Sequence, residues 1–185
     1  MRKDFGVKPF LYPQPVLIIG TYDENKKVDA MNAAWGGTYD HDMVIIALSA
    51  SHKTAENLKV NKAFSLSFAT VKTVASSDYV GIVSQNNDPK KMEKAKLTPI
   101  PSEKVNAPLF EEYPLTFECE VYEYDEEKEI LIGKVINISV DESVIKDGKI
   151  DTDKFDAILF DPIIAKYRKV GEVVADAFRV GFALK

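Results

Sequence analysis

Two stretches constrain this chain more than any other: residues 115–124, L-T-F-E-C-E-V-Y-E-Y, and residues 130–140, I-L-I-G-K-V-I-N-I-S-V, separated by Asp125-Glu126-Glu127-Lys128. The first alternates with period two, the spacing that sends neighbouring side chains to opposite faces of a strand. The second is a further strand with Gly133 inside it, and the acidic run between them reads as a solvated hairpin tip. Cys119 falls among the inward residues, sharing its face with Phe117 and Val121.

The remaining pattern supplies more strands. Residues 13–22, P-Q-P-V-L-I-I-G-T-Y, read as a strand introduced by prolines. Polar residues 23–27 read as a hairpin loop leading into residues 28–34. The apolar run 44–48 is too short for a typical isolated helix and rich in β-branched residues, so it predicts a buried strand. From Phe64, F-S-L-S-F-A-T alternates large and small side chains as a half-buried strand does. Thr54 can cap a short helix through about residue 61, with Lys59 and Lys62 near its C-terminal end, where cations are favoured.

Residues 74–83 read as a second short helix with Ser76, Ser77 and Asp78 on its polar side. The polar and basic segment from Gln85 is a loop running into helix. Pro99, Pro101 and Pro108 mark an irregular connection, and Asp147-Gly148 signals a hairpin turn. The segment from Ala165 is compatible with strand or helix. Six or more strands with short helices between them predict a mainly β protein, an antiparallel barrel or sandwich with added helices.

Length and composition narrow the function classes. One folded unit over residues 1–185 is the simplest account of 185 residues without repeat, low-complexity tract or convincing linker. A formal net charge of -5 gives no electrostatic reason to expect nucleic acid. The opening M-R-K-D-F-G-V-K-P resembles neither a signal peptide nor a membrane span. Cys119 is the single cysteine, which excludes an intrachain disulfide and fits a reducing cytoplasm. Two histidines, His41 and His52, are too few for most histidine-based metal sites, so no metal is expected. A reactive thiolate needs exposure and an electropositive neighbour, so Cys119 is expected to be buried and inert.

Residues 31–57 carry the chemistry. After the 44–48 strand, Ser49, Ala50 and Ser51 turn the chain into a helix that begins near Thr54. The first N–H groups of a helix lack internal partners, and the dipole adds partial positive charge there. Lys53 adds a full charge, Ser51 and Thr54 add hydroxyls, and His52 an imidazole; together they suit a phosphate monoester. The plainer reading makes Thr54 an N-cap and Lys53 a solvated charge. Before the strand, M-N-A-A-W at 31–35 allows Asn32 and the backbone of Ala33 and Ala34 to bond the edge of a heterocycle. Gly36-Gly37 would free the following turn. The plainer reading there puts Trp35 in the core. The two segments straddle one buried strand, which favours a planar, phosphorylated ligand between them.

These motifs resemble the flavin reductase-like, FMN-binding split-barrel proteins of flavoredoxin type. The resemblance rests on P-V-L-I-I-G-T at 15–21, M-N-A-A-W at 31–35, S-x-x-H-K-T-x-x-N at 49–57, N-x-x-F-S-L-S-F at 61–68 and K-L-T-P-I-P at 96–101. It continues through Y-P-L-T-F-E-C at 113–119, G-K-V at 133–135 and Y-x-x-V-G-E at 167–172. It implies a six-stranded antiparallel Greek-key split barrel, a homodimer, with FMN held non-covalently near the subunit interface. Carried over, Ser51, His52, Lys53 and Thr54 fall at the phosphate and ribityl chain, and Asn32, Ala33, Ala34 and Trp35 along the isoalloxazine. Asn57 on the helix after Thr54, Ser84 and Lys91 in the segment expected to close over flavin, and Tyr167 near the ring complete the implied set.

The implied function is electron transfer through bound FMN, with a donor or acceptor protein or a nicotinamide nucleotide as partner and no side chain acting as acid, base or nucleophile. The same barrel could instead store FMN or sense a ligand without turnover. Many NAD(P)H-dependent relatives carry a histidine just before the G-x-V strand. Glu129 stands nearest that position here, which implies slow or absent reduction by nicotinamide nucleotides.

Overall fold

A computed structural model describes residues 1–185. In chain order its main elements are β1 (Leu17–Tyr22), β2 (Val28–Ala33), β3 (Gly36–Asp40), β4 (Met43–Ala47), α1 (Lys53–Asn61), β5 (Ala63–Phe68), α2 (Val74–Ile82), α3 (Lys91–Ala95), β6 (Leu115–Asp125), β7 (Ile130–Val140), β8 (Ile158–Asp161) and β9 (Lys166–Lys169). The long hairpin read from the alternating stretches is β6–β7, paired from Leu115–Val140 to Asp125–Ile130. Around it a seven-stranded antiparallel sheet has the order β2-β1-β5-β6-β7-β4-β3. The six expected strands are all present, and β3 adds a seventh on one edge.

The sheet curls until its two ends share a core. Leu17 and Ile19 of β1, Ala33 of β2, Val44 and Ile46 of β4 and Leu131 of β7 pack in one cluster, closed by Ala55 and Leu58 of α1. The opposite face of β1 and β2 carries a second cluster, in which Val16, Ile18 and Ala30 meet Val80 of α2, Ala95 of α3, Phe110 and Ile158 of β8. Both faces of β1 are therefore covered, and its apolar run is continuous rather than alternating. Gly133 lies where a side chain would collide with the Phe64 ring, so β5 and β7 approach closely across the curl.

Several expectations need correction. Gly36-Gly37 is not a turn but the start of β3, with neither glycine at positive φ. Gly36 is small because Leu17 Cδ1 and Ile45 O would lie 3.0 and 3.1 Å from any Cβ there. Trp35 does not fill the core; it is exposed at 57%. Strand β5 is buried on both faces, because Ser65 and Ser67 are covered as fully as Phe64 and Leu66. Their hydroxyls are satisfied by Pro108 O and Thr116 Oγ1 at 2.5 and 2.8 Å.

Ser77 is likewise buried, bonded to the Tyr113 hydroxyl at 3.0 Å, rather than on a polar face. The proline-rich connection is a small ladder, Pro99–Pro101 against Pro108–Phe110. The Asp147-Gly148 turn forms as expected, both residues at positive φ (51° and 72°) between strands Ile145–Lys146 and Lys149–Ile150. The C-terminal segment gives strand β9 followed by an exposed arm, and no helix in the molecule is long and apolar enough to cross a membrane.

Candidate functional site

Strand β2 ends the sheet and pairs only with β1, so its outer edge presents backbone N–H and C=O groups without a strand partner. Alternation sends Val28, Ala30 and Asn32 to one face of this edge and Asp29 and Met31 to the other. Helix α2 crosses the edge at its C-terminal turn. The contact is close: a Cβ on Gly81 would sit 2.8 Å from Asn32 Cβ. Gly81 and Ile82 consequently border two clefts, one on each side of β2.

The first cleft, of about 160 Å³, lies at the N-terminus of α1. Asp29, His52, Lys53, Thr54, Ser84 and Lys91 contribute its polar lining. His52 is the N-cap and no side chain caps the helix. Ala55 N and Glu56 N bond His52 O, while the amides of Lys53 and Thr54 find no partner within the chain. The cleft thus combines two free helical N–H groups, the dipole's positive end and the Lys53 ammonium, a combination suited to an anion.

Beneath it, Asp29, Lys91 and Thr54 form a buried polar knot. Lys91 Nζ lies 3.0 Å from Asp29 Oδ1, with the two side chains 3% and 1% exposed, and Thr54 Oγ1 donates to Asp29 Oδ2 at 3.2 Å. The segment after Ser84 is tied to the same region, since Gln85 Nε2 donates to Val28 O and Asn86 Nδ2 to Glu56 Oε1, at 2.8 and 3.3 Å.

The second cleft, of about 230 Å³, is lined by Val16, Asn32, Ala34, Asp78, Gly81, Ile82, Phe160 and Tyr167. Asn32 Nδ2 donates to Ser77 O at 3.0 Å, and Tyr167 Oη donates to Asp78 Oδ1 at 2.7 Å. The Tyr167 ring leans on Phe160 at 6.0 Å. Burial, then the adjoining Asp78 carboxylate, push the Tyr167 phenol up to about 12. One wall is therefore a fixed aromatic ring and the other the free edge of β2.

The sequence-derived set divides accordingly. His52, Lys53, Thr54, Ser84 and Lys91 gather in the first cleft; Asn32, Ala34 and Tyr167 gather in the second. Thr54 is not the N-cap but the second helical residue, 1% exposed, its hydroxyl committed to Asp29. Asn57 does not line either cleft: it is buried one turn further along the same face of α1 as Thr54, donating to Thr21 Oγ1 at 3.0 Å. Ala33 packs in the core, and the Trp35 indole stands on the surface with its carbonyl accepting Ala47 N.

Ser51 is exposed at the end of a short chain, where Ser49 Oγ donates to Glu129 Oε1 at 2.6 Å and lies 3.2 Å from Ser51 Oγ. Glu129 accordingly braces the loop before α1. Asp29 and Gly81 were not singled out from sequence. The one available signal for Asp29 is a lone carboxylate inside a short strand whose only other polar residue is Asn32.

The curled sheet with a helix N-terminus and a free strand edge facing adjoining clefts defines a flavin reductase-like split barrel. The family model described as "Flavin reductase like domain" matches residues 10–158, and the chain belongs to that family. Among solved structures it is similar to the flavoredoxin of Desulfovibrio vulgaris (Miyazaki F), with 33% identity, a TM-score of 0.92 and coverage of 98% of this chain and 100% of that one. It is also similar to flavoredoxin from Methanosarcina acetivorans, at 26% identity and TM-score 0.87 over 100% and 98% of the two chains. A third match in fold, at 18% identity and TM-score 0.78 over 88% of each chain, is an FMN-binding domain of flavin reductases-like enzyme from Shewanella baltica.

Proposed function

We propose that the protein is a redox protein of flavoredoxin type that transfers electrons through non-covalently bound FMN. The observation that carries this reading is the pair of adjoining clefts across β2, one suited to an anion and one to a flat ring. The residues fit such a group. The uncapped amides of Lys53 and Thr54 with the Lys53 charge and His52 would hold the phosphate. The free edge of β2 near Asn32–Ala34 would meet the heteroatoms of the ring, with Tyr167 and Phe160 as the apolar wall. When bound, FMN supplies one- and two-electron transfer; the chain binds it, orients it and excludes water. In this role Lys91 is a buried support rather than a free contact, paired as it is with Asp29.

In the same reading the whole chain is one domain, cytoplasmic and homodimeric. Support for the dimer lies in the two terminal arms, where Phe5, Leu11, Val174, Phe178 and Leu184 are all at least 73% exposed. Electron transfer separates from storage by anaerobic mixing of the FMN-loaded protein with NADH, NADPH and a low-potential reduced carrier such as reduced methyl viologen. The carrier bleaches the flavin absorption promptly and both nucleotides do so slowly. Prompt bleaching by a nucleotide would make the protein a reductase; no bleaching by any donor would leave storage or sensing.

A further inference from the structure

The cleft at the α1 N-terminus contains a carboxylate, which is unexpected in a site suited to an anion. Asp29 is 1% exposed and lies on the inward face of β2, among the residues that line the cleft. Its two oxygens are both engaged, one by Lys91 Nζ at 3.0 Å and the other by Thr54 Oγ1 at 3.2 Å. Those two partners also line the cleft. Lys91 is 2% exposed. A buried lysine at the wall of an anion site would ordinarily add its full charge to the binding field, but here a carboxylate in direct contact cancels it. The positive charge left to the cleft is Lys53, itself shared with Glu56 at 3.2 Å, together with the helix terminus.

We infer that Asp29 is a specificity-determining residue that sets how strongly the cleft discriminates phosphorylated from unphosphorylated flavin. The inference rests on reading this cleft as the phosphate end of a flavin site. Asp29 acts through Lys91: it holds the ammonium in place and neutralises it, so the phosphate meets a weaker field than the residue count implies. The arrangement keeps FMN exchangeable. It also makes Asp29 a positioning residue for Thr54, whose backbone amide is one of the two free donors at the cleft.

The experiment compares wild type with Asp29→Asn in fluorescence titrations against FMN and against riboflavin. Asparagine keeps the size of the side chain and an acceptor for the Thr54 hydroxyl but leaves the Lys91 charge uncompensated. An extra unit charge at a partly buried anion site is worth on the order of tenfold in affinity. The ratio of riboflavin Kd to FMN Kd should therefore rise about tenfold in Asp29→Asn relative to wild type. A merely structural role would weaken both ligands together and leave the ratio unchanged, and that result, or a fall, overturns the inference. If Asp29→Asn does not fold alone, addition of FMN should restore folding where riboflavin does not; rescue by neither or by both equally overturns it too. A wild type that shows no preference for FMN would instead refute the phosphate reading itself, and this inference with it.

Discussion

The hydroxyl of Tyr167 donates to the Asp78 carboxylate across 2.7 Å, fastening β9 to α2 at the border of the ring-sized cleft. A hydrogen bond to a charged acceptor contributes about 1.5–3 kcal/mol when shielded from water, and less where it is partly exposed. Tyr167→Phe keeps the ring against Phe160 and removes the bond. It should lower stability by about 1–2 kcal/mol in urea denaturation. Because Asp78 loses the group that orients it, flavin affinity should fall as well, by a few-fold.

Cys119 and Tyr113 make stability depend on alkaline pH. Burial pushes the Cys119 thiol up to about 12, and burial does the same for the Tyr113 phenol despite its bond to Ser77. Their unfolded values are about 8.5 and 10. A folded value above the unfolded one means the native state resists losing the proton. The stabilising term is complete below pH of about 8.5 and is lost as pH rises toward 12. Denaturation midpoints should be flat near neutrality and decline above about pH 8.5. In Cys119→Ala the decline should begin nearer pH 10, where the phenols take over. The native thiol should also fail to react with a thiol reagent until the chain is unfolded.

Gly81 sets how closely α2 rides over β2. A methyl group there would lie 2.8 Å from Asn32 Cβ, so Gly81→Ala requires the helix to move off the strand edge. The expected cost is about 1–3 kcal/mol of stability. Both clefts share this turn, so affinity for FMN and for riboflavin should decline together. Unchanged binding of both would show that the clefts do not depend on this contact.

How much of this was legible in the sequence varies with the range of the interaction. β6, β7 and β1 could be read because alternation, or a continuous apolar run, is imposed locally by the faces a strand buries. β3 was missed because Gly36-Gly37 carries the chemistry of a turn; the need for a small residue comes from Leu17 and Ile45, which the fold brings alongside. Thr54 looked like a cap for similar reasons. A threonine at a helix start has the right hydroxyl, but its true partner, Asp29, lies on another element. The cleft residues His52 and Lys53 could be found because a helix N-terminus is a local feature. Asp29 could not, since its role depends on Lys91 folding back from 62 positions away.

Lys53 is the one cleft cation not buried against a carboxylate, its side chain being 24% exposed beside Glu56. Lys53→Ala should therefore weaken FMN on the order of tenfold, the scale of one charge-assisted contact. Riboflavin lacks the phosphate and should be affected much less. Equal losses for both ligands would place the phosphate elsewhere.

The central claim is that the clefts on either side of β2 hold one FMN, phosphate at α1 and ring beside Tyr167. Titration of the purified protein with FMN and with riboflavin, followed by quenching of flavin fluorescence, tests it most directly. The account predicts saturation at one FMN per chain and tighter binding of FMN than of riboflavin. A protein that carries no flavin and binds neither ligand would contradict it.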